Sequence, residues 1–270
     1  MSIKKSSYYD CKKRGAAVVS HDEVMLRRRM KELFRESRES LGSRRMVKAL
    51  RAEGYEIGRY RVRKLMKIMK LKVKQKRKFK ITTNSKHNFP VAENILDRKF
   101  NPEKKNQVWA SDVTYVWTCE GWLYLAIVID LCSRRVVGWC VDKRQTKSLV
   151  IRAMNMAIGL RRPPEGLIHH SDRGSQYASK KYQRLLKAHK MICSMSRKGN
   201  CWDNAPVERF FSSLKREWIG DVLYRTRQHA IQDIREYVAV YYNAKRLHST
   251  LGYETPVNFE KTLNRVSGIA

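Results

Sequence analysis

Val108-Trp109-Ala110-Ser111-Asp112-Val113-Thr114-Tyr115-Val116 is the stretch on which the reading of the fold turns. Its β-branched and aromatic residues favour an extended backbone, and Cys119-Glu120-Gly121 supplies a turn a few residues on. Residues 122–129 are then almost continuously apolar, as a strand covered on both faces must be, and 135–141 form a third run of the same kind. Three strands joined by short turns make an antiparallel meander. Alternation along the first puts Trp109, Ser111, Val113 and Tyr115 on one face and Ala110, Asp112 and Thr114 on the other. Asp112 is therefore an ionisable group in mid-strand, where burial without a partner is expensive.

Downstream the pattern changes to an alternation of helix and strand. Periodicity predicts a helix over 147–160, a short buried strand over 166–169, a helix over 179–189, a strand over 191–195 and a helix over 205–218. A further helix is expected over 228–243, and residues from Asn264 onward read as frayed. Three meander strands followed by αβαβα is the order of a ribonuclease-H-like core. The fold class expected is α/β, a mixed sheet with flanking helices, and no internal repeat interrupts it.

Upstream, Met25, Leu26, Met30, Leu33 and Phe34 recur at helical spacing, and Met46, Val47 and Leu50 follow Ser43 as an N-cap. Gly54 ends that second helix. A third, opened near Gly58, turns Val62, Leu65, Met66 and Met69 inward and carries Arg59, Arg61, Arg63, Lys64, Lys67 and Lys70 on its other faces. Helix, glycine-containing turn and basic helix is the helix-turn-helix pattern, in which the last helix enters the major groove. The plainer reading is a three-helix bundle with solvated charges. Lys72, Lys74, Lys76, Lys78 and Lys80 then alternate with other residues, as in a wing tracking phosphates or an edge strand guarded by lysine. The boundaries expected are a basic DNA-binding region over 20–81, a linker over 82–102 containing Pro90, a catalytic core over 103–225, and a helical extension over 226–265.

Two more carboxylates fall where chemistry is possible. Asp172 follows a short strand and opens a loop containing Gly174, the kind of place where α/β folds build sites. Glu208 lies in the helix that Asn204 can cap and Pro206 can begin, with Val207, Phe211, Leu214 and Trp218 as the apolar stripe and Glu208, Ser212 and Lys215 beside it. Taken singly, each acid has an ordinary explanation: a strand-edge acceptor, a loop Asx-turn, a first-turn charge facing the helix dipole. Taken together they form an oxygen site suited to Mg²⁺ or Mn²⁺, with no Cys or His at metal-ligand spacing. Asp203 reads better as a loop or capping residue, and Asp130 ends a strand with no site-like loop after it.

The 58 Lys and Arg residues against 25 Asp and Glu leave a formal charge of +33. Self-repulsion of that size calls for a polyanion, and nucleic acid is the fitting partner. A net +20 falls in residues 1–100 and +13 in the remainder, so the N-terminal part is the main electrostatic anchor. No apolar run approaches the ~18 residues that a membrane helix needs. The six cysteines include no Cys-x-x-Cys pair, so reduced thiols and a cytoplasmic setting are expected.

The words at 108–115, at 170–177, Asp203-Asn204-Ala205-x-x-Glu208 and Tyr242-Asn243-x-x-Arg246-x-His248 resemble those of the insertion sequence three family of bacterial DDE transposases. The 35 residues between Asp172 and Glu208 match that family's interval and that of the retroviral integrases it resembles. Gly42-Ser43-Arg44-Arg45 and Leu50-Arg51-Ala52-Glu53-Gly54 are similar to its helix-turn-helix region. The resemblance implies that Asp112, Asp172 and Glu208 hold two divalent ions, Mg²⁺ or Mn²⁺, about 3.5 to 4 Å apart. It implies 3′-end cleavage and strand transfer by a copy-out, paste-in route through a circular intermediate. Lys215 would contact the element's end near the scissile phosphate, Arg173 the backbone, and Arg59, Arg61, Arg63, Lys64 and Lys67 the terminal inverted repeats. The partners implied are element and target double-stranded DNA and further copies of the chain, in a bacterial cytoplasm at the nucleoid. A ribonuclease-H-like nuclease without strand transfer and a non-catalytic DNA-binding regulator are the competing readings.

Overall fold

The computed structural model describes residues 19–73, 90–197 and 200–266. They form two compact units, 19–73 and 90–266. Most of the alternating lysine segment and the stretch 82–87 lie outside the described residues.

The first unit is all α: α1 His21–Glu36, α2 Ser43–Ala52 and α3 Arg59–Ile68. Ser20 caps α1 by accepting from the Glu23 N–H. Gly42, not Ser43, occupies the cap position of α2, its extended backbone (φ −77°, ψ 165°) placing Ser43 inside the first turn. Gly54 leaves α2 at φ +91°, a conformation that a side chain would strain. Met30, Met46, Leu50 and Val62 are fully buried at the centre, and Arg29 donates two hydrogen bonds of 2.7 Å to Glu53, clamping α1 to the end of α2.

The second unit is built on a five-stranded sheet in the order β3-β2-β1-β4-β5. The strands are β1 Val108–Thr118, β2 Gly121–Asp130, β3 Val136–Asp142, β4 Ile168–Ser171 and β5 Ile192–Met195. β1, β2 and β3 pair antiparallel as the expected meander, while β4 pairs parallel to β1, and β5 parallel to β4. On one face Trp109, Ala126 and Val128 meet α4 Lys147–Arg161 and α6 Lys180–Ala188, the short α5 Ser175–Ala178 lying alongside. On the other, Ala110, Leu125 and Ile127 meet α7 Ala205–Ser213 and α8 Arg227–Glu236. Gly138 lets α4 approach β3 closely, since a Cβ there would stand 2.2 Å from the Ala153 carbonyl oxygen. The result is a ribonuclease-H-like α/β fold, preceded by the all-α unit. Among the described residues no helix is long and apolar enough to cross a membrane, and Cys119, Cys132, Cys140 and Cys193 are free thiols.

Four elements depart from the sequence expectation. The strand expected over 166–169 runs over Ile168–Ser171 instead. Polar residues can occupy a buried strand here because they bond one another: His169 Nε2 lies 2.9 Å from Ser111 Oγ, and His170 Nδ1 2.9 Å from Ser194 Oγ. The helix expected over 205–218 changes at Leu214 to a π-helical turn, Leu214–Ile219, and α8 likewise continues as Tyr237–Tyr242. These wide turns face each other through aromatic rings, Trp218 lying 5.5 Å from Tyr237 and 4.9 Å from Tyr241. The C-terminal part is helical as α9 Pro256–Val266 rather than frayed from Asn264. Buried Glu260 holds it, accepting from Ser133 Oγ, Arg135 and Arg161.

Tyr242, Asn243, Arg246 and His248 therefore precede the last helix and serve packing. The Asn243 amide donates to and accepts from Val136 backbone at 3.0 Å each, extending the edge of β3, and Arg246 makes a two-pronged contact of 2.8 Å with Glu217.

Candidate active site

Strand register does most of the work. In the parallel β1–β4 pair Ser111 stands opposite Ser171, so Asp112 and Asp172 are the next residues on adjacent strands, where β4 ends. Asp112 follows Ala110 by two and shares its face, towards α7. It is half-buried as a residue. Burial first, and then the neighbouring charge of Asp172, push its carboxyl well above the ordinary carboxylate range; the 2.7 Å bond from the Val113 N–H opposes this, Glu208 reinforces it and Lys215 opposes it.

Asp172 is oriented by its own loop. Its Oδ1 accepts from the Gly174 N–H at 2.9 Å, and a Cβ at Gly174 would stand 2.9 Å from both that oxygen and Gln176 Oε1. A side chain there would push the Asp172 carboxylate and the Gln176 amide out of their present positions. Arg173, half-buried, donates from Nε to the Ser196 carbonyl at 2.6 Å and ties the loop after β4 to the end of β5.

Glu208 reaches the site through α7. Asn204 holds the N-cap position, but its side chain makes no capping bond; Nδ2 donates instead to the Ser111 carbonyl, 3.2 Å away and one residue before Asp112. Glu208 lies four residues on, one helical turn along the same side. The residue is exposed, yet partial burial of its carboxyl raises it above its ordinary value. This tether is the feature that sequence reasoning missed; the spacing of four from Asn204 to Glu208 was its one visible sign.

Lys215 sits in the π turn after α7 and is half-buried. Its Nζ lies 4.6 Å from the centre of the Tyr115 ring. Burial lowers its pKa and Asp112 opposes the shift. Beneath the site Tyr177 is fully buried, its hydroxyl without a hydrogen-bond partner among the described residues. Among those residues no three His, Cys, Asp or Glu side chains already stand together as a closed metal cage. Asp112, Asp172 and Glu208 thus share one electrostatic neighbourhood without a common centre.

The two acids set aside from the sequence are structural. Asp203 is buried and accepts from the Arg197 backbone and guanidinium, from Arg98 and from Asn94, all within 3.0 Å, and the Arg197 bonds hold its pKa far below the usual range. Asp130 accepts from the backbone N–H groups of Asn106, Cys132 and Ser133. In the first unit Arg59, Arg61, Arg63, Lys64 and Lys67 are all exposed on α3, and Arg61 stands 3.8 Å from Glu23.

Comparison with known proteins fits this architecture. Residues 102–201 match the family described as Integrase core domain, residues 189–256 a second family of the same description, and residues 20–79 an HTH-like domain. The fold is also that of a chain in the simian T-cell lymphotropic virus intasome bound to a PP2A regulatory subunit, at TM-score 0.50 and 19% identity, over 66% of this chain and 60% of that one. The class is that of integrase-type enzymes with a ribonuclease-H-like core. A 31 kDa protein of insertion element IS600 from Shigella sonnei is 42% identical over 98% of this chain and 97% of its own length. Transposase InsF of insertion sequence IS3A from Escherichia coli K12 is 42% identical over 84% of this chain and 79% of its own. The chain belongs to the IS3 family of transposases and is an enzyme acting on DNA.

Proposed function

We propose that Asp112, Asp172 and Glu208 are the catalytic and metal-holding residues of a reaction that cleaves the 3′ ends of an insertion sequence and joins them to DNA. The observation that carries this reading is the β1–β4 register, which makes Asp112 and Asp172 lateral neighbours at a strand end, with Glu208 one helical turn beyond the tether to Ser111. The donor set fits divalent cations: all its ligand atoms are carboxylate oxygens, and Asp112 is enclosed beside two like charges, an arrangement that a hard cation relieves. When bound, two Mg²⁺ or Mn²⁺ ions supply polarisation at phosphorus and stabilise charge on the oxygens that attack and leave.

The chain's own residues do the rest. Asp112 is held by the sheet, Asp172 by the hydrogen-bonded turn that opens where β4 ends, and Glu208 by the helix, so each acid has a structured anchor of its own. Lys215 holds a phosphate oxygen of the element's end beside Asp112, and Arg173 contacts backbone near Asp172. The exposed cations of α3 grip the terminal inverted repeats by neutralising phosphates. Residues 20–81 bind, 82–102 link, 103–225 catalyse and 226–265 brace the core. The route is copy-out, paste-in through a circular intermediate, by a homo-oligomer that holds two ends together, in a bacterial cytoplasm at the nucleoid.

Incubating the chain with labelled DNA carrying candidate element ends and Mg²⁺ tests this. Strands joined end to end, lost on chelation, are expected. Cleaved but unjoined products would leave a nuclease, and products insensitive to chelation would remove the metal from the reading.

A further inference from the structure

The outward face of α3 carries a residue that phosphate binding does not explain. At 3.6 residues per turn, Tyr60, Arg63, Lys64 and Lys67 fall within an arc of about 100°. That arc lies opposite the buried stripe of Val62, Leu65 and Met66. Arg59 and Arg61 lie on its two flanks. Tyr60 is the one uncharged member of the arc and is 84% exposed, the most open large apolar side chain among the described residues. It adds nothing to the burial of this unit, and an aromatic ring held in water gains only when something covers it.

A helix lying in the major groove turns the side opposite its packed stripe to the groove floor, and its N-terminal residues meet the base edges. Tyr60 is the second residue of α3. The long, exposed side chains of Arg63, Lys64 and Lys67 can reach from that arc to phosphates along the groove, as Arg59 and Arg61 can from its flanks, whereas a phenol ring cannot neutralise phosphate. Apolar contact with a base edge in that groove has one chief target, the thymine 5-methyl group. We infer that Tyr60 is a specificity-determining residue that reads a thymine methyl in the bound DNA, while Arg63, Lys64 and Lys67 supply sequence-independent affinity. The inference rests on the reading of residues 19–73 as the DNA-binding unit.

The test uses the full chain and a pool of random-sequence duplexes from which bound molecules are repeatedly enriched. Wild type is expected to select a motif. Tyr60→Ala is expected to lose one thymine-bearing position of it and to bind the wild-type motif about tenfold more weakly, the usual cost of one wrong base pair. Its affinity for unrelated duplex and its salt dependence should be unchanged, since every phosphate contact remains. Tyr60→Phe, which keeps the ring, should select the wild-type motif. Deoxyuridine in place of that thymine should weaken wild type equally and leave Tyr60→Ala unaffected. The inference is overturned if Tyr60→Ala selects the same motif, or if it loses as much on unrelated duplex. Arg63→Ala with Lys64→Ala separates the two levels. If that pair lowers the salt slope while Tyr60→Ala changes nothing, only the role of Tyr60 fails. If that pair changes no binding and wild type enriches no motif, the DNA-binding reading of the unit fails with it.

Discussion

Replacing Asn204 by Ala removes one hydrogen bond that joins α7 to β1. The amide donates to the Ser111 carbonyl at 3.2 Å, and both residues are buried, Asn204 4% and Ser111 1% exposed. No capping bond is lost, because the Asn204 side chain makes none. The cost is that of stranding one buried carbonyl, about 1–2 kcal/mol. For a unit the size of residues 90–266 this lowers Tm by about 2–8 °C. The effect on catalysis should be larger, because the start of α7 is no longer pinned one residue from Asp112, and a displacement of Glu208 by about 1 Å can cost about 100-fold. Asn204→Asp should be worse than Ala, since a carboxylate would face the carbonyl oxygen it cannot bond. Circular-dichroism melting and a strand-joining assay on the same preparations read the two effects separately. A Tm lowered by several degrees with joining unchanged would refute the positioning role; no change in either would show that the bond contributes nothing.

Substituting Asp112, Asp172 or Glu208 by Ala or Asn is expected to abolish cleavage and joining while DNA affinity, measured by filter binding, stays near wild type; residual Mg²⁺-dependent activity in one variant removes that residue from the site. Lys215→Ala should weaken end cleavage more at high than at low salt, because the remaining cations are then screened; equal rates for variant and wild type at both salts would return Lys215 to a packing role on Tyr115. Burial pulls His169 down to about 3, so the folded unit keeps it neutral while the unfolded chain takes up a proton below about pH 6.5. The stability it contributes is therefore complete above that pH and is lost progressively as pH falls from there towards 3. His169→Gln should melt with a shallower loss than wild type between about pH 7 and pH 5, and an unchanged slope would exclude His169 as a source of it.

The sequence by itself determined the elements. The runs at 108–116, 122–129 and 135–141 read as three strands because they are short, rich in β-branched and aromatic residues and separated by turn residues, and the stripe of Val62, Leu65 and Met66 reads as α3. It also singled out Asp112, Asp172 and Glu208, since ionisable groups beside buried elements have few inexpensive uses. What sequence could not decide were features set by contacts between distant residues. β4 shifted to Ile168–Ser171 because His169 and His170 find hydroxyl partners on β1 and β5. The helix after Glu208 widened to a π turn where Trp218 meets Tyr237 and Tyr241, and α9 was held by Glu260 gathering Ser133, Arg135 and Arg161. Asn204 illustrates the limit: its local sequence favours a helix cap, and only the nearness of Ser111, 93 residues earlier, turns its amide towards the strand instead. Local patterns are set by backbone geometry over a few residues and can be read in order along the chain. Partner choice for buried polar groups depends on which distant donors and acceptors folding brings within about 3 Å, and tertiary structure alone decides that.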